Sequence, residues 1–109
     1  MQRMGCCIGL KASKIAEYKC LHAAVWPEVL AVIARFNIKN YSIYLKEPDS
    51  LLFAAFEDHG ADYAADMALM AQDPKAREWW ALTDPCQAPF EDRKEDDWWA
   101  RMEEVFHCD

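Results

Sequence analysis

Tyr18 and His22 stand four residues apart in a stretch of helical spacing, so their side chains share one face, with Ile15 and Val25 alongside. A histidine titrates near pH ~6.5 and can give and take protons at neutral pH with neither metal nor cofactor. Tyr41 follows on a segment rich in β-branched and aromatic residues, and Trp79-Trp80 lies in a second helical segment. Rings bearing a phenol or an indole N–H stack on the C–H face of a sugar while offering donors to its hydroxyls. Histidine is therefore the remaining catalytic candidate, and Tyr18, Tyr41 and the Trp79-Trp80 pair could converge with it on one sheet as an aromatic pocket. The same stripe also reads as a core face. Neighbouring tryptophans on a helix diverge by roughly 100°, so one of the pair is expected to face fully inward and the other to line a rim or an interface. For Trp98-Trp99, core, interface and pocket lid are all open.

Other chemistries lack their residues. There is no GxSxG, no P-loop and no GxGxxG, and the chain holds only three glycines, which excludes phosphoryl transfer and nicotinamide chemistry as readable functions. Paired carboxylates for glycosidic work would have to face each other across a cleft, whereas most acids here cluster in one loop or on surface positions. Five cysteines (Cys6, Cys7, Cys20, Cys86, Cys108) make an odd number without a CxxC pair, which fits neither a disulfide framework nor a zinc site. Cys20 with His22, or His107 with Cys108, supplies two ligands where a closed zinc site needs four. No metal is expected. Cys6, Cys7 and Cys20 are expected to act as small packing residues, reduced in a cytoplasmic protein.

These residues need a scaffold, and hydropathy periodicity supplies one. Cys6 to Leu10 reads as a strand, and Ser13 stands where an N-cap belongs ahead of a helical pattern reaching Phe36. Pro27 interrupts that pattern; proline removes a helical N–H but suits a first turn, so a break near Trp26 and a new helix from Pro27 are expected. Ile38 to Leu45 and Leu51 to Phe56 form a hairpin across the turn Glu47-Pro48-Asp49-Ser50. Asp62 to Ala71 and a second piece from Asp73-Pro74 to Leu82 are helical, and Met102 to His107 alternates as a strand does. Between them, residues 84–97 form an acidic, solvated loop. The order β-α-β-β-α-β is the split βαβ of ferredoxin-like α+β domains.

The chain of 109 residues, 53% apolar and 28% charged, is one folded domain with a single core. Residues 1–46 carry seven basic against two acidic side chains and residues 47–109 carry five against seventeen, for a net charge of −7. Without a basic cluster, nucleic acid and anionic membrane are not expected partners. No apolar run approaches the ~20 residues of a membrane span, and residues 1–10 lack a leader's pattern. In the second hairpin strand Leu51, Phe53 and Ala55 point one way and Leu52, Ala54 and Phe56 the other, so both faces are apolar. Helices cover one face only in this topology. A second copy of the chain, packed sheet to sheet in a homodimer of the dimeric α/β-barrel type, is the expected cover for the other.

In order and spacing, Tyr18-x-x-x-His22-x-x-x-Trp26-Pro27-Glu28, Asn40-Tyr41-Ser42-Ile43-Tyr44, Leu51-Leu52-Phe53, Trp79-Trp80 and Glu104-Val105-Phe106-His107 resemble the L-rhamnose mutarotases over nearly the whole chain. The resemblance implies a dimeric ferredoxin-like fold and cofactor-free interconversion of the α and β anomers of L-rhamnose in the cytoplasm. It makes His22 the proton donor and Tyr18, Tyr41, Trp79 and Trp80 the sugar-binding positions. Two departures stand out: Ala23-Ala24 replaces an Asn-Pro common before the Trp-Pro-Glu, and the 84–97 segment is unusually acidic.

Mutarotation suits such a site. A base takes the proton of the anomeric hydroxyl, an acid protonates the ring oxygen, and the opened aldehyde rotates and recloses on either face. His22 is expected to protonate the ring oxygen, with Tyr41, Tyr18 or a bound water handling the anomeric hydroxyl; which of them is the base stays open, because a tyrosine at its normal pKa of ~10 is a poor base at pH 7. Two other classes share the architecture: a monooxygenase-like or haem-degrading dimeric α/β barrel, and a sugar- or small-acid-binding module in which His22 only hydrogen-bonds.

Overall fold

The computed structural model describes residues 1–109. Its elements are β1 (Gln2–Leu10), α1 (Ile15–Ala23), α2 (Pro27–Arg35), β2 (Ile38–Lys46), β3 (Leu51–Asp58), α3 (Tyr63–Met70), α4 (Pro74–Thr83), β4 (Gln87–Ala88) and β5 (Ala100–Met102). The strands form one antiparallel sheet in the order β2-β3-β1-β4, with β5 also on β1. This is the expected ferredoxin-like βαββαβ arrangement, with its final strand delivered in two short pieces along the same edge of β1.

Local chemistry explains most boundaries. Pro27 occupies the first turn of α2 after an extended Trp26, as its fixed φ and missing N–H favour. Asp62 caps α3 by accepting from the Ala65 N–H, and Asp73 caps α4 by accepting from Lys75 and Ala76. Ser13 is no cap: it lies inside a 3₁₀ turn, Ala12–Lys14, that leads into α1, and no side chain caps that helix. β1 begins at Gln2, four residues earlier than its apolar pattern, because Gln2 and Arg3 pair with Asp58 and Glu57 on β3.

The last strand differs most from expectation. It is Ala100–Met102, not 102–107, and residues 103–109 have no regular structure, with Val105 and Phe106 more than four-fifths exposed. The register gives the reason. Gly5 faces Met102, so antiparallel pairing would reach the end of β1 within a few residues. Beyond the ladder only side chains hold, as Arg3 Nε donates to Glu104 Oε2 at 2.8 Å.

Alternation along the strands separates the two faces of the sheet. Ile8, Leu10 and Leu52 pack with Tyr18 and Cys86 under the helices, and Val32, Ile38, Met70 and Ala76 form a second buried cluster. The opposite face carries Phe53, Tyr44 and Ala55; Tyr44 is 65% exposed, and no element of this chain covers it. Cys86 is buried and Cys6 and Cys7 half-buried, but Cys20 is exposed on α1 and is not a packing residue.

Candidate active site

Between the helical layer and the sheet lies a hollow of about 770 Å³, within the range typical of small-molecule sites. Tyr18, His22, Tyr41, Trp79 and Trp80 all line it. The five residues expected at the site thus line one cavity.

Helix α1 supplies the first two. Spacing of four stacks the His22 imidazole on the Tyr18 ring, centroids 4.2 Å apart and planes 28° from parallel. His22 Nδ1 lies 2.9 Å from the Tyr18 main-chain oxygen. A carbonyl only accepts, so Nδ1 carries the proton and the neutral ring keeps its lone pair on Nε2. Burial lowers the His22 pKa, partly opposed by that hydrogen bond, which favours the neutral form.

Trp79 holds the other side of the imidazole. It is buried and meets His22 edge-on at 5.4 Å and Trp26 edge-on at 5.3 Å. The break ahead of Pro27 is what brings Trp26 into this row, so the Trp-Pro step serves the site through packing. Trp80 is half-buried; it packs against the second core cluster and also lines the hollow. The division between a buried Trp79 and a half-buried Trp80 follows from their divergence on the helix.

Tyr41 reaches the hollow through an irregularity. Lys39 pairs with Glu57 and Ser42 with Ala55, so Asn40 and Tyr41 together oppose Phe56 alone, a β-bulge. In unbroken alternation Tyr41 would share the open face with Lys39; the extra residue turns it to the helical side, 5.3 Å from the Phe56 ring. Asn40 tolerates the required φ of 51° and donates to Glu57 Oε1 at 2.8 Å. Tyr41 is water-accessible yet walled in, and burial pushes its phenol well above the ordinary range. Burial likewise pushes Tyr18 up to about 12 and the Cys6 thiol, on the sheet floor, up to about 11. All three stay protonated at neutral pH.

Several lining residues carried no signal in the sequence. Residues 84–88 are not a solvated loop: Asp84–Cys86 form a 3₁₀ turn and β4 follows, with Cys86 and Gln87 buried. Irregular chain covers 89–99, as expected for the charged run, but its end folds back over the hollow. Trp98 Nε1 donates to Gln87 Oε1 at 2.7 Å, Arg93 lies 5.7 Å over the Trp98 ring, and Trp99 packs on the first core cluster. Trp98 and Trp99 therefore line the pocket. Asp84 lines it as well, its carboxyl raised by partial burial, and Arg101 reaches in from β5 over the Tyr63 ring at 5.3 Å. No three His, Cys, Asp or Glu side chains converge as metal ligands do, and no helix is long and apolar enough to cross a membrane.

A family model for L-rhamnose mutarotase matches residues 3–108. The chain belongs to the L-rhamnose mutarotase family. The L-rhamnose mutarotase of Rhizobium meliloti is 35% identical over 75 residues, 66% of each chain. That of Verminephrobacter eiseniae is 42% identical over 69 residues, 61% of this chain and 59% of that one. The matched region thus spans just under two thirds of these relatives' length. The crystal structure of the L-rhamnose mutarotase from Formosa agariphila superposes with a TM-score of 0.79 over all of both chains at 22% identity, which supports the fold. Family membership does not favour the monooxygenase-like reading, which rested on architecture alone.

Proposed function

We propose that this protein is an L-rhamnose mutarotase that interconverts the α and β anomers without a cofactor, with His22 moving the proton. One observation carries the reading: His22 Nδ1 is committed to the Tyr18 carbonyl, while the ring is clasped between Tyr18 and Trp79 in an aromatic hollow. Nε2 is the nitrogen left to meet a ligand. In neutral His22 it accepts, so it takes the proton of the anomeric hydroxyl as the C1–O5 bond breaks. The imidazolium then returns that proton to the ring oxygen, and the free aldehyde turns about C1–C2 before the steps reverse. His22 is thereby the proton donor that the family resemblance implies, and the protons balance within one residue. Tyr18 and Tyr41, both neutral phenols, are binding groups; Trp79 and Trp80 hold the apolar face of the sugar.

The same reading makes the protein a homodimer. The uncovered sheet face around Tyr44, Phe53 and Ala55 is apolar on a face that a monomer would leave to water. It also assigns the protein to the cytoplasm, where its five unpaired thiols stay reduced.

The test is NMR exchange spectroscopy on the α and β C1 protons of L-rhamnose with catalytic protein. Cross-peaks that grow with protein concentration, and more strongly for L-rhamnose than for L-fucose, support the proposal. A folded protein that leaves exchange at the buffer rate overturns it, and binding without acceleration would leave the sugar-binding module in its place.

A further inference from the structure

We propose that Gln87, oriented by Trp98, is a positioning residue that fixes the direction of the Tyr18 hydroxyl proton and so makes Tyr18 a hydrogen-bond donor to the ligand. The inference rests on the reading above only for the identity of that ligand, L-rhamnose.

Gln87 is 5% exposed, and its amide bridges two site residues: Trp98 Nε1 lies 2.7 Å from Oε1, and Nε2 lies 3.2 Å from the Tyr18 hydroxyl. The orientation of a glutamine amide is ambiguous by shape alone, but an indole N–H can only donate. The amide atom facing Trp98 must therefore be the oxygen. The nitrogen then faces Tyr18, and it too can only donate, so the Tyr18 oxygen accepts there. A phenolic hydrogen lies near the ring plane on one side or the other, and with one side filled by an N–H it must take the other. No protein acceptor is hydrogen-bonded to that proton. Tyr18 is only 5% exposed but lines the hollow, so a sugar oxygen bound there is the partner inferred for that proton.

The backbone fixes the relay as firmly as the side chains do. Gln87 begins β4, where it pairs with Leu10, and Ala88 pairs with Gly9. A Cβ at position 9 would lie 2.6 Å from the Ala88 oxygen, so only glycine lets this short strand approach β1 so closely. Trp98 arrives from eleven residues further on, which ties the acidic excursion to the site.

Two variants separate a positioning role from a structural one. Gln87→Glu keeps the shape but presents only acceptors to Tyr18, so the phenol must turn its proton away from the ligand. Calorimetry should find L-rhamnose bound about tenfold more weakly, with KM rising more than kcat falls. In a Tyr18→Phe background the same change should alter affinity less than twofold. Trp98→Phe, at a partly exposed site, releases the amide and should weaken binding about threefold without lowering Tm by more than a few degrees. In ligand-free protein the Gln87 side-chain amide protons should exchange slowly with solvent, and faster in both Trp98→Phe and Tyr18→Phe. Equal losses on Gln87→Glu with and without the Tyr18 hydroxyl, or amide protons indifferent to both changes, overturn the relay. A wild type that binds L-rhamnose without speeding its exchange overturns the mutarotase reading and leaves the relay standing.

Discussion

The imidazole of His22 is tethered to the main-chain oxygen of Tyr18, one turn earlier on the same helix, with Nδ1 2.9 Å from that oxygen. Tyr18 therefore fixes His22 twice, through its carbonyl and through its ring 4.2 Å away. A backbone acceptor cannot be lost by mutation, so the tautomer that leaves Nε2 to the ligand is set by the helix itself.

The lowered pKa of His22 predicts how stability depends on pH. The unfolded chain takes up a proton at this residue near pH ~6.5, whereas the folded chain does so at lower pH. Stability from this group is thus fully present above about pH 6.5 and is lost as pH falls through the folded-state value. Urea denaturation at pH 7.5 and at 5.5 should give a smaller stability loss in His22→Gln than in wild type. An equal loss in both would contradict the assignment.

Trp79 and Trp80 should separate by role. Trp79 is 6% exposed and touches both His22 and Trp26, so Trp79→Ala should cost roughly 3–5 kcal/mol of stability, as large core truncations do. Trp80→Ala, at a half-buried position, should cost less than half as much while still weakening L-rhamnose binding. Guanidinium denaturation and calorimetry on both variants check this; equal costs would mean that both rings are core.

Gly9→Ala should act on the site from outside it. The new Cβ meets the Ala88 oxygen, so β4 must shift and carry Gln87 with it. A destabilisation of about 1–3 kcal/mol is expected, accompanied by the same weakening of L-rhamnose binding as in Gln87 variants. A destabilised protein with wild-type affinity would show that the strand shifts without moving the amide.

The open sheet face should report on assembly. Phe53→Asp puts a charge in the middle of that face, opposite Tyr44, and a buried interface cannot leave such a charge unpaired. Light scattering should find a dimer for wild type and a monomer for the variant, with helical circular dichroism preserved. A monomeric wild type at micromolar concentration would remove the dimer.

The parts of the fold that follow short-range rules were readable from residues. The i, i+4 pair Tyr18 and His22, the proline that opens α2, the helix starts at Asp62 and Asp73, and the two-faced hairpin strand each announce themselves locally, whereas the cap expected at Ser13 did not form. What stayed hidden depends on register and long-range pairing. The bulge that turns Tyr41 inward exists only relative to Phe56 across the ladder. The final strand is split because β1 accepts two short partners, which no alternation within 102–107 could reveal. Gln87 and Trp98 are eleven residues apart with charged chain between them, and only the fold brings indole, amide and phenol into line. Asp84, in a turn after α4, belongs to the same class.

In the proposed mechanism His22 moves the proton that opens the sugar ring. The most direct measurement is the rate of α to β exchange of L-rhamnose, read by NMR at the anomeric protons, in wild type and His22→Ala at equal concentration and confirmed fold. Acceleration by wild type is expected, with a loss of about 10²-fold or more in the variant, the scale of general acid–base catalysis, and L-rhamnose still bound. A folded His22→Ala protein that keeps most of the wild-type acceleration would contradict it.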